Sequence, residues 1–110
     1  MSDEERVRNP HPGDIIRHDF LEPWGMTPYR LAKGLGITPS AAAELVNGKR
    51  NVTAVTALRL AAFLGCSPRF WMGLQAAYDL EEVERNPALA AKIAGLTRYQ
   101  PAEKAESAPG

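Results

Sequence analysis

The sequence predicts an all-α protein, a compact bundle of five to six helices without β-strands. Capping residues and helix-breaking residues alternate at short intervals, and they divide the chain into short helical segments joined by tight turns. Apolar residues recur at helical spacing, and no segment shows the sustained two-residue alternation that is typical of strands. With 110 residues the chain is long enough for one compact domain and too short for two.

The first predicted helix spans about residues 13–21. Ile16 and Phe20 lie four residues apart, so that they share one face of this helix. Pro23 and Gly25 follow closely, and both residues disfavour a continuing helix. We therefore expect the helix to end before Pro23.

The second and third predicted helices begin with the same pair of residues, in Thr27-Pro28 and in Thr38-Pro39. Threonine supplies an oxygen that caps the helix, and proline fits the first helical position because an N–H there has no partner. We expect these helices at residues 28–36 and 39–46, the second being ended by Asn47-Gly48.

Three further helices complete the prediction. Thr53 is expected to cap a helix over residues 54–64, which Gly65 closes. Ser67-Pro68 opens the longest helix, to about residue 85. Asn86-Pro87 begins a sixth, short helix that ends near residue 94.

The folded domain is predicted to span residues 9–96, with a helical extension at its C-terminal end. From Gln100 onward the chain contains no apolar residue larger than alanine, so it cannot bury enough surface to offset its loss of conformational entropy. We expect a flexible N-terminus over residues 1–8 and a disordered tail over residues 97–110.

The charges are unevenly distributed along the chain, although the net charge is zero. The segment from Thr27 to Arg69 carries six basic residues and one acid, whereas the segments before and after it are acidic. A basic middle between acidic ends suits local contact with a polyanion. The alternative is a mixed surface on which the basic residues cluster by chance.

Several classes of protein are disfavoured by what the sequence lacks. Cys66 is the only cysteine, so it forms neither an internal disulfide nor a cysteine-based zinc site. His11 and His18 lie seven residues apart with a proline after the first, which does not predict a metal site on one helix. No phosphate-binding glycine loop and no nucleophile–base pattern is visible. We expect no cofactor, no metal and no enzymatic activity.

Neither a membrane segment nor an export signal is predicted. The longest apolar-rich stretch, residues 58–64, is interrupted by Arg59 and is far shorter than the roughly 20 residues that span a bilayer. The acidic start of the chain differs from the basic start of a secretory signal. We expect a cytoplasmic protein.

The segment from Thr27 to Arg50, TPYRLAKGLGITPSAAAELVNGKR, predicts a helix-turn-helix of the phage-repressor-like type, with its two helices at about residues 28–47. Two short helices this close together must cross steeply to share a core, and Ala32 is small enough to allow the crossing. Gly36 can adopt the positive φ that the joint requires. The apolar contacts are expected from Leu31, Leu35, Ile37, Leu45 and Val46.

In this geometry the third helix enters the major groove of double-stranded DNA. The side chains predicted to face base edges are Thr38, Ser40, Ala41, Ala43, Glu44 and Asn47. Thr27 and Tyr29, at the start of the preceding helix, are placed to hold a phosphate. The next loop offers Lys49, Arg50 and Asn51 to the DNA backbone, unless Lys49 and Arg50 form only a solvated loop.

The third helix contains few residues that read bases strongly. Residues 40–43 are a serine and three alanines, and no arginine, glutamine or asparagine precedes Asn47. Hydroxyl contacts, methyl contacts to thymine and groove shape are left to provide specificity. We expect the discrimination among DNA sites to be modest.

The chain resembles the HigA family of antitoxins from roughly Asn9 to Leu80. The resemblance rests on four stretches in order: NPHPGDIIRHDFLEPWGM, LAKGLGI, VNGKRNVTAVTALRLAAFLG and SPRFWMGLQAAYDL. It implies a homodimer that binds operator DNA, represses its own operon and neutralises a RelE/HigB-like, mRNA-cleaving toxin. The alanine-rich third helix departs from the family's tendency toward larger polar residues there.

Two apolar arcs on the fifth helix predict a surface for a partner. One arc contains Phe70, Trp71, Leu74, Ala77 and Tyr78, and the other contains Met72, Ala76, Leu80 and Val83. Gln75 and Asp79 separate the arcs on one side. Because one arc suffices to cover a core, the second is a candidate dimer or toxin contact. The alternative is burial of this arc under the sixth helix, through Leu89 and Ile93.

Two other functions are open at this point. An antitoxin with little operator binding would explain the alanines of the third helix. A phage-type transcriptional repressor without a toxin would keep the helix-turn-helix and lack the toxin contact. A short basic protein encoded beside this one would favour the antitoxin.

Overall fold

The computed structural model describes residues 8–102, in which six helices and no β-strand occur. Helix α1 runs through three consecutive segments, Pro12–Ile15, Ile16–Leu21 and Glu22–Trp24. The others are α2 (Pro28–Leu35), α3 (Pro39–Val46), α4 (Ala54–Leu64), α5 (Pro68–Glu84) and α6 (Pro87–Ala94). The predicted all-α class is confirmed.

The predicted end of the first helix before Pro23 is wrong. The segment Ile16–Leu21 is a π-helix, in which the N–H of Glu22 donates to the carbonyl of Arg17. Proline in an α-helix loses one hydrogen bond and its ring clashes with the carbonyl four residues earlier, and the wider π turn relieves that clash. The chain therefore stays helical to Trp24 and ends at Gly25, which has a φ of 64°.

The helix starts that the sequence predicts are formed by side-chain caps. Thr27, Thr38, Thr53, Ser67 and Asn86 each accept a hydrogen bond from the backbone N–H three residues later. Such caps stabilise a helix by about 1 kcal/mol each. They fix where α2 to α6 begin, and hence how short the joints between these helices are.

The core is formed by the first five helices and the loop before α4. Its buried apolar residues are Ile16, Leu21, Leu31, Ala32, Leu35, Ala42, Leu45, Val46, Val52, Ala57, Leu60, Leu64 and Trp71. Trp71 of α5 is the largest side chain that is fully enclosed. These contacts hold the predicted helix-turn-helix, α2 and α3, against α1, α4 and α5.

Helix α6 is an extension that adds no buried residue to the core. Leu89 and Ile93, on this helix, are 39% and 50% exposed. Met72 and Leu80 on α5 are also exposed, at 39% and 63%. Burial of the second arc of α5 under α6, which the sequence left open, does not occur.

The predicted flexible terminus and tail lie mostly outside the described residues, which exclude 1–7 and 103–110. Residues 96–102 have no regular secondary structure. Among the described residues, none of the helices combines the length and the hydrophobicity needed to cross a membrane.

Candidate nucleic-acid interface

The joint between α2 and α3 has the conformation of a helix-turn-helix. Gly36 has a φ of 73°, in the left-handed region that a glycine enters without strain. The N–H of Ile37 donates to the carbonyl of Ala32 at 3.0 Å, which closes the end of α2. Ala32 is only 2% exposed. The small side chain and the glycine thus act as the sequence predicts, and α2 and α3 pack directly against each other.

The starts of α2 and α3 both present a threonine at the surface. Thr27 Oγ1 accepts a hydrogen bond from the N–H of Arg30, and Thr38 Oγ1 accepts one from the N–H of Ala41, each at 3.1 Å. A hydroxyl that accepts in a cap can still donate its proton elsewhere. Both residues are exposed, so their hydroxyl groups can donate to an external oxygen.

Helix α3 buries one side and exposes the other. Ala42, Leu45 and Val46 are buried, whereas Ser40, Glu44 and Asn47 are exposed. Ala41 and Ala43, which the sequence predicts to face DNA, are half-buried. They can supply methyl contacts only along the margin of the exposed face.

An ion pair links α3 to the loop that follows it. The Arg50 guanidinium donates to Glu44 Oε1 from both Nε, at 3.2 Å, and Nη2, at 2.8 Å. Both side chains are about half exposed, at 49% and 50%. Because the Glu44 carboxylate offsets the charge of Arg50, the cation of Lys49, which is also exposed, has the less compensated charge in this loop.

The loop between α3 and α4 is held from beneath by Gln75 of α5, which is 4% exposed. The N–H of Val52 donates to Gln75 Oε1 at 2.6 Å. Gln75 Nε2 donates to Asn51 Oδ1 at 3.2 Å and to Asp79 Oδ1 at 3.0 Å. The Asn51 oxygen is therefore engaged in the fold, which leaves the amide NH₂ group as the part of Asn51 that could reach a phosphate.

His11 supports the same loop from the other side. It is 4% exposed, its ring lies 5.0 Å from that of Tyr78, and it lies next to Gly48. Nδ1 accepts from the N–H of Gly13 at 2.9 Å and caps α1. Burial lowers the pKa of His11 from 6.5, although Asp14 and Asp79 act in the opposite direction. The ring is a neutral part of the core rather than a surface cation.

Two arginines fix the ends of the helix-turn-helix. Arg17 Nη1 of α1 donates to the carbonyl of Val46 at 2.8 Å, at the end of α3. Arg59 Nη1 of α4 donates to the carbonyl of Leu35 at 2.8 Å, at the end of α2. Arg59, which contributes to the basic middle in the sequence, therefore acts as a helix cap.

Gln75, Arg17 and Arg59 were not identified as part of the site from sequence. Their partners lie 23 to 29 residues away along the chain. A local pattern cannot reveal such pairs. The one sequence signal is the position of Gln75 between two apolar arcs, which by itself indicates only a polar boundary.

Nine of the eleven side chains that the sequence predicts to face DNA are exposed, and the other two, Ala41 and Ala43, are half-buried. The exposed ones are Thr27, Tyr29, Thr38, Ser40, Glu44, Asn47, Lys49, Arg50 and Asn51. The structure joins Glu44 to Arg50 and ties Asn51 to Gln75. Within the described residues no cluster of metal-ligating side chains occurs.

Residues 21–71 match the family model described as helix-turn-helix, which places the chain in that class of DNA-binding proteins. Over 76 residues the chain is 42% identical to virulence-associated protein I of Dichelobacter nodosus, covering 69% of this chain and 70% of that protein. The family match over residues 21–71 includes the joint between α2 and α3 and the whole of α3.

Similar solved structures identify the family within the helix-turn-helix class. An addiction module antidote protein of the HigA family from Coxiella burnetii is 36% identical with a TM-score of 0.76, covering 84% of this chain and 100% of that one. Pseudomonas aeruginosa antitoxin HigA, solved with the higBA promoter, is 30% identical at the same TM-score and coverage. The chain belongs to the HigA family of helix-turn-helix antitoxins. This is a family of DNA-binding regulators and not of enzymes.

Proposed function

We propose that this protein binds the operator of its own operon as a homodimer and neutralises a RelE/HigB-like toxin by direct contact. The exposed polar side of α3 is the observation that supports the DNA-binding part of this proposal. The core holds α3 on its buried side, and Arg17 holds its C-terminal end. The similarity to an antitoxin solved with promoter DNA supports the same function.

In this proposal α3 lies in the major groove with Ser40, Glu44 and Asn47 toward the base edges. The hydroxyls of Thr27 and Thr38 and the phenol of Tyr29, which is 67% exposed, are available to phosphates. A dimer would present two α3 helices about 34–36 Å apart, and it would therefore bind a near-palindromic site.

Replacing Lys49 and Arg50, the two cations of the loop between α3 and α4, tests the proposed position of this loop on the DNA backbone. Lys49→Ala with Arg50→Ala should weaken binding to operator and unrelated duplexes by a similar factor, because phosphate contacts carry no sequence information. The slope of log affinity against log salt should fall by up to about two phosphate contacts, each worth about 0.9. Fluorescence anisotropy at several salt concentrations measures both quantities.

The matched control removes two exposed cations away from α3, Lys92→Ala with Arg98→Ala. This variant has the same change in net charge, and it should keep the wild-type slope. Wild-type affinity and slope in the Lys49/Arg50 variant would show that the loop does not lie at the DNA backbone.

The toxin part is tested by co-expression. The full chain should restore growth of cells that express the small protein encoded beside it. Operator binding with no toxic neighbour would instead support the repressor without a toxin. Rescue of growth with no operator binding would support the antitoxin that has lost DNA reading.

A further inference from the structure

We infer that Gln75 is a positioning residue for DNA binding, which turns the side-chain amide of Asn51 so that its NH₂ group faces a phosphate of the DNA backbone. Gln75 lies on α5, outside the helix-turn-helix, and acts on this contact without touching DNA. This role rests on the proposed function, in which the loop between α3 and α4 contacts the DNA backbone.

The buried carboxamide of Gln75 has a defined orientation. A side-chain amide carries an acceptor on its oxygen and two donors on its nitrogen. The backbone N–H of Val52 can only donate, so the Gln75 atom that lies 2.6 Å from it must be the oxygen. Nε2 of Gln75 then lies 3.0 Å from Oδ1 of Asp79, and an ionised carboxylate only accepts. Two independent neighbours therefore fix the same orientation, and a flipped amide would lose both bonds.

The orientation of Gln75 determines the direction of the Asn51 amide. The second N–H of Gln75 Nε2 points at the side chain of Asn51, at a distance of 3.2 Å. Only an oxygen can accept this proton, so Oδ1 of Asn51 lies on the inner side of the loop and the NH₂ group points away from Gln75. Asn51 is exposed, whereas Gln75 is 4% exposed. The outer group of Asn51 is thus a hydrogen-bond donor, which suits an anionic phosphate oxygen.

The opposite direction of the Asn51 amide would oppose DNA binding. An amide oxygen that faces a phosphate places two acceptors against each other, and no hydrogen bond can form between them. An asparagine that nothing holds would sample both directions, and binding would have to select one of them at a cost in entropy. Because Gln75 selects the direction before DNA arrives, the loop is preorganised for a phosphate.

Gln75 makes two contributions that can be separated experimentally. Its oxygen holds the backbone of the loop through the N–H of Val52. Its nitrogen sets the direction of Asn51. A substitution that keeps the first bond and reverses the second isolates the positioning role from the support of the loop.

Exchanging the amide and the carboxylate on α5, in Gln75→Glu with Asp79→Asn, makes this separation. The new carboxylate at position 75 still accepts from the N–H of Val52, and the new amide at position 79 donates to it. The net charge is unchanged. Asn51 can now only donate inward, which turns its oxygen toward the DNA. We expect the affinity for operator and unrelated duplexes to fall by about tenfold, the scale of one hydrogen bond to a charged group.

The salt dependence of binding distinguishes a turned amide from a displaced loop. Asparagine is neutral and releases no counterion, so the exchange variant should keep the wild-type slope of log affinity against log salt. A displaced loop would withdraw Lys49 and Arg50 from the DNA, and the slope would fall. Fluorescence anisotropy measures affinity and slope, and urea unfolding shows that the variant is folded. A reduced slope would overturn the positioning role.

A double-mutant cycle tests whether Gln75 acts through Asn51. Asn51→Ala removes the proposed phosphate contact and should itself weaken binding. In this background the exchange at positions 75 and 79 should change the affinity by less than about twofold, because the group that it turns is absent. Asp79→Asn alone is the matched control and should lose no affinity, since its amide oxygen can still accept from Gln75. An equal loss with and without Asn51 would show that Gln75 acts by another route.

Nuclear magnetic resonance tests the same assignment in the wild-type protein. The side-chain NH₂ signals of Asn51, identified by their loss in Asn51→Ala, should shift when operator DNA is added. Those of Gln75 should exchange slowly with solvent in both states, as expected of a buried and hydrogen-bonded amide. Asn51 signals that stay in place at saturating DNA would overturn the inference.

The outcomes separate the positioning role from the proposed function. If the exchange variant binds operator with wild-type affinity, Gln75 does not position Asn51, and the proposed function stands. If Lys49→Ala with Arg50→Ala keeps the wild-type affinity and slope, the loop does not lie at the DNA backbone, and the positioning role fails together with the proposed docking.

Discussion

On the exposed side of α3, the Glu44 carboxylate and the Arg50 guanidinium are bound to each other at 2.8 Å. A carboxylate on a surface that approaches DNA opposes binding, and an arginine held by it is less available to a phosphate. Exposed ion pairs of this kind contribute at most about 1 kcal/mol to stability. We infer that the effect of this pair on DNA affinity exceeds its effect on the fold.

We expect Glu44→Gln to increase affinity for all DNA duplexes, by about tenfold at low salt, because the variant removes one negative charge and frees Arg50. The salt slope should become steeper by about one phosphate contact, near 0.9. Anisotropy titrations with operator and scrambled duplexes measure both. Glu82→Gln makes the same chemical change on α5, away from α3, and should have little effect. A Glu44→Gln protein that binds less tightly to cytosine-containing sites alone would mean that this carboxylate reads a base.

Burial of His11 makes the stability of the fold dependent on pH. Because desolvation lowers the pKa of His11 from 6.5, the unfolded chain takes up this proton at a higher pH than the folded chain does. The contribution of His11 to the free energy of unfolding is therefore complete above about pH 6.5, and it is lost as the pH falls from there toward the lowered pKa.

His11→Asn should reduce this pH dependence, since asparagine caps a helix and does not titrate. Urea unfolding between about pH 7.5 and pH 5 measures the free energy of unfolding for both proteins. His18→Asn, which removes the exposed imidazole of α1, serves as the control. An unchanged pH dependence in His11→Asn would assign the effect to other groups.

At the scale of elements, the starts of five helices followed from local chemistry. Each start has a Ser, Thr or Asn whose oxygen accepts from a nearby N–H, and residues three apart in the chain are close wherever a helix begins. The continuation of α1 through Pro23 to Trp24 could not be predicted from local chemistry. Pro23 stops an ordinary α-helix, and the pattern of apolar residues does not reveal the π-helical segment before it.

The same distinction between local and long-range contacts applies to the residues of the candidate site. The exposed residues of α3, such as Ser40 and Asn47, follow from helical periodicity once the buried side is known. The supports of the site, such as Gln75 beneath the loop, depend on contacts between distant parts of the chain. Their partners become evident only when the helices are packed together.

For the whole molecule, function is expected to reside in the folded helices. The chain beyond residue 98 offers few apolar anchors, and ordering it on binding would cost entropy. If the protein neutralises a toxin as proposed, a version that ends at Arg98 should rescue growth as well as the full chain does, in a plate assay with matched expression. Loss of rescue in the shortened protein, at equal abundance, would place the toxin contact in the tail.

The attachment of α3 has a consequence for how such proteins acquire new targets. A side chain at Gly13 would collide with the carbonyl oxygens of Leu45 and Val46, so the backbone of α1 lies directly against the end of α3, and Arg17 adds a bond to the same Val46 carbonyl. These contacts are made to backbone carbonyl oxygens, which are present whatever side chain a residue carries. The orientation of α3 is thus insensitive to which side chains occupy its exposed positions. If Ser40, Glu44 and Asn47 face the bases as proposed, they can be exchanged without rebuilding the domain, and one scaffold can be redirected from one operator to another by a few substitutions.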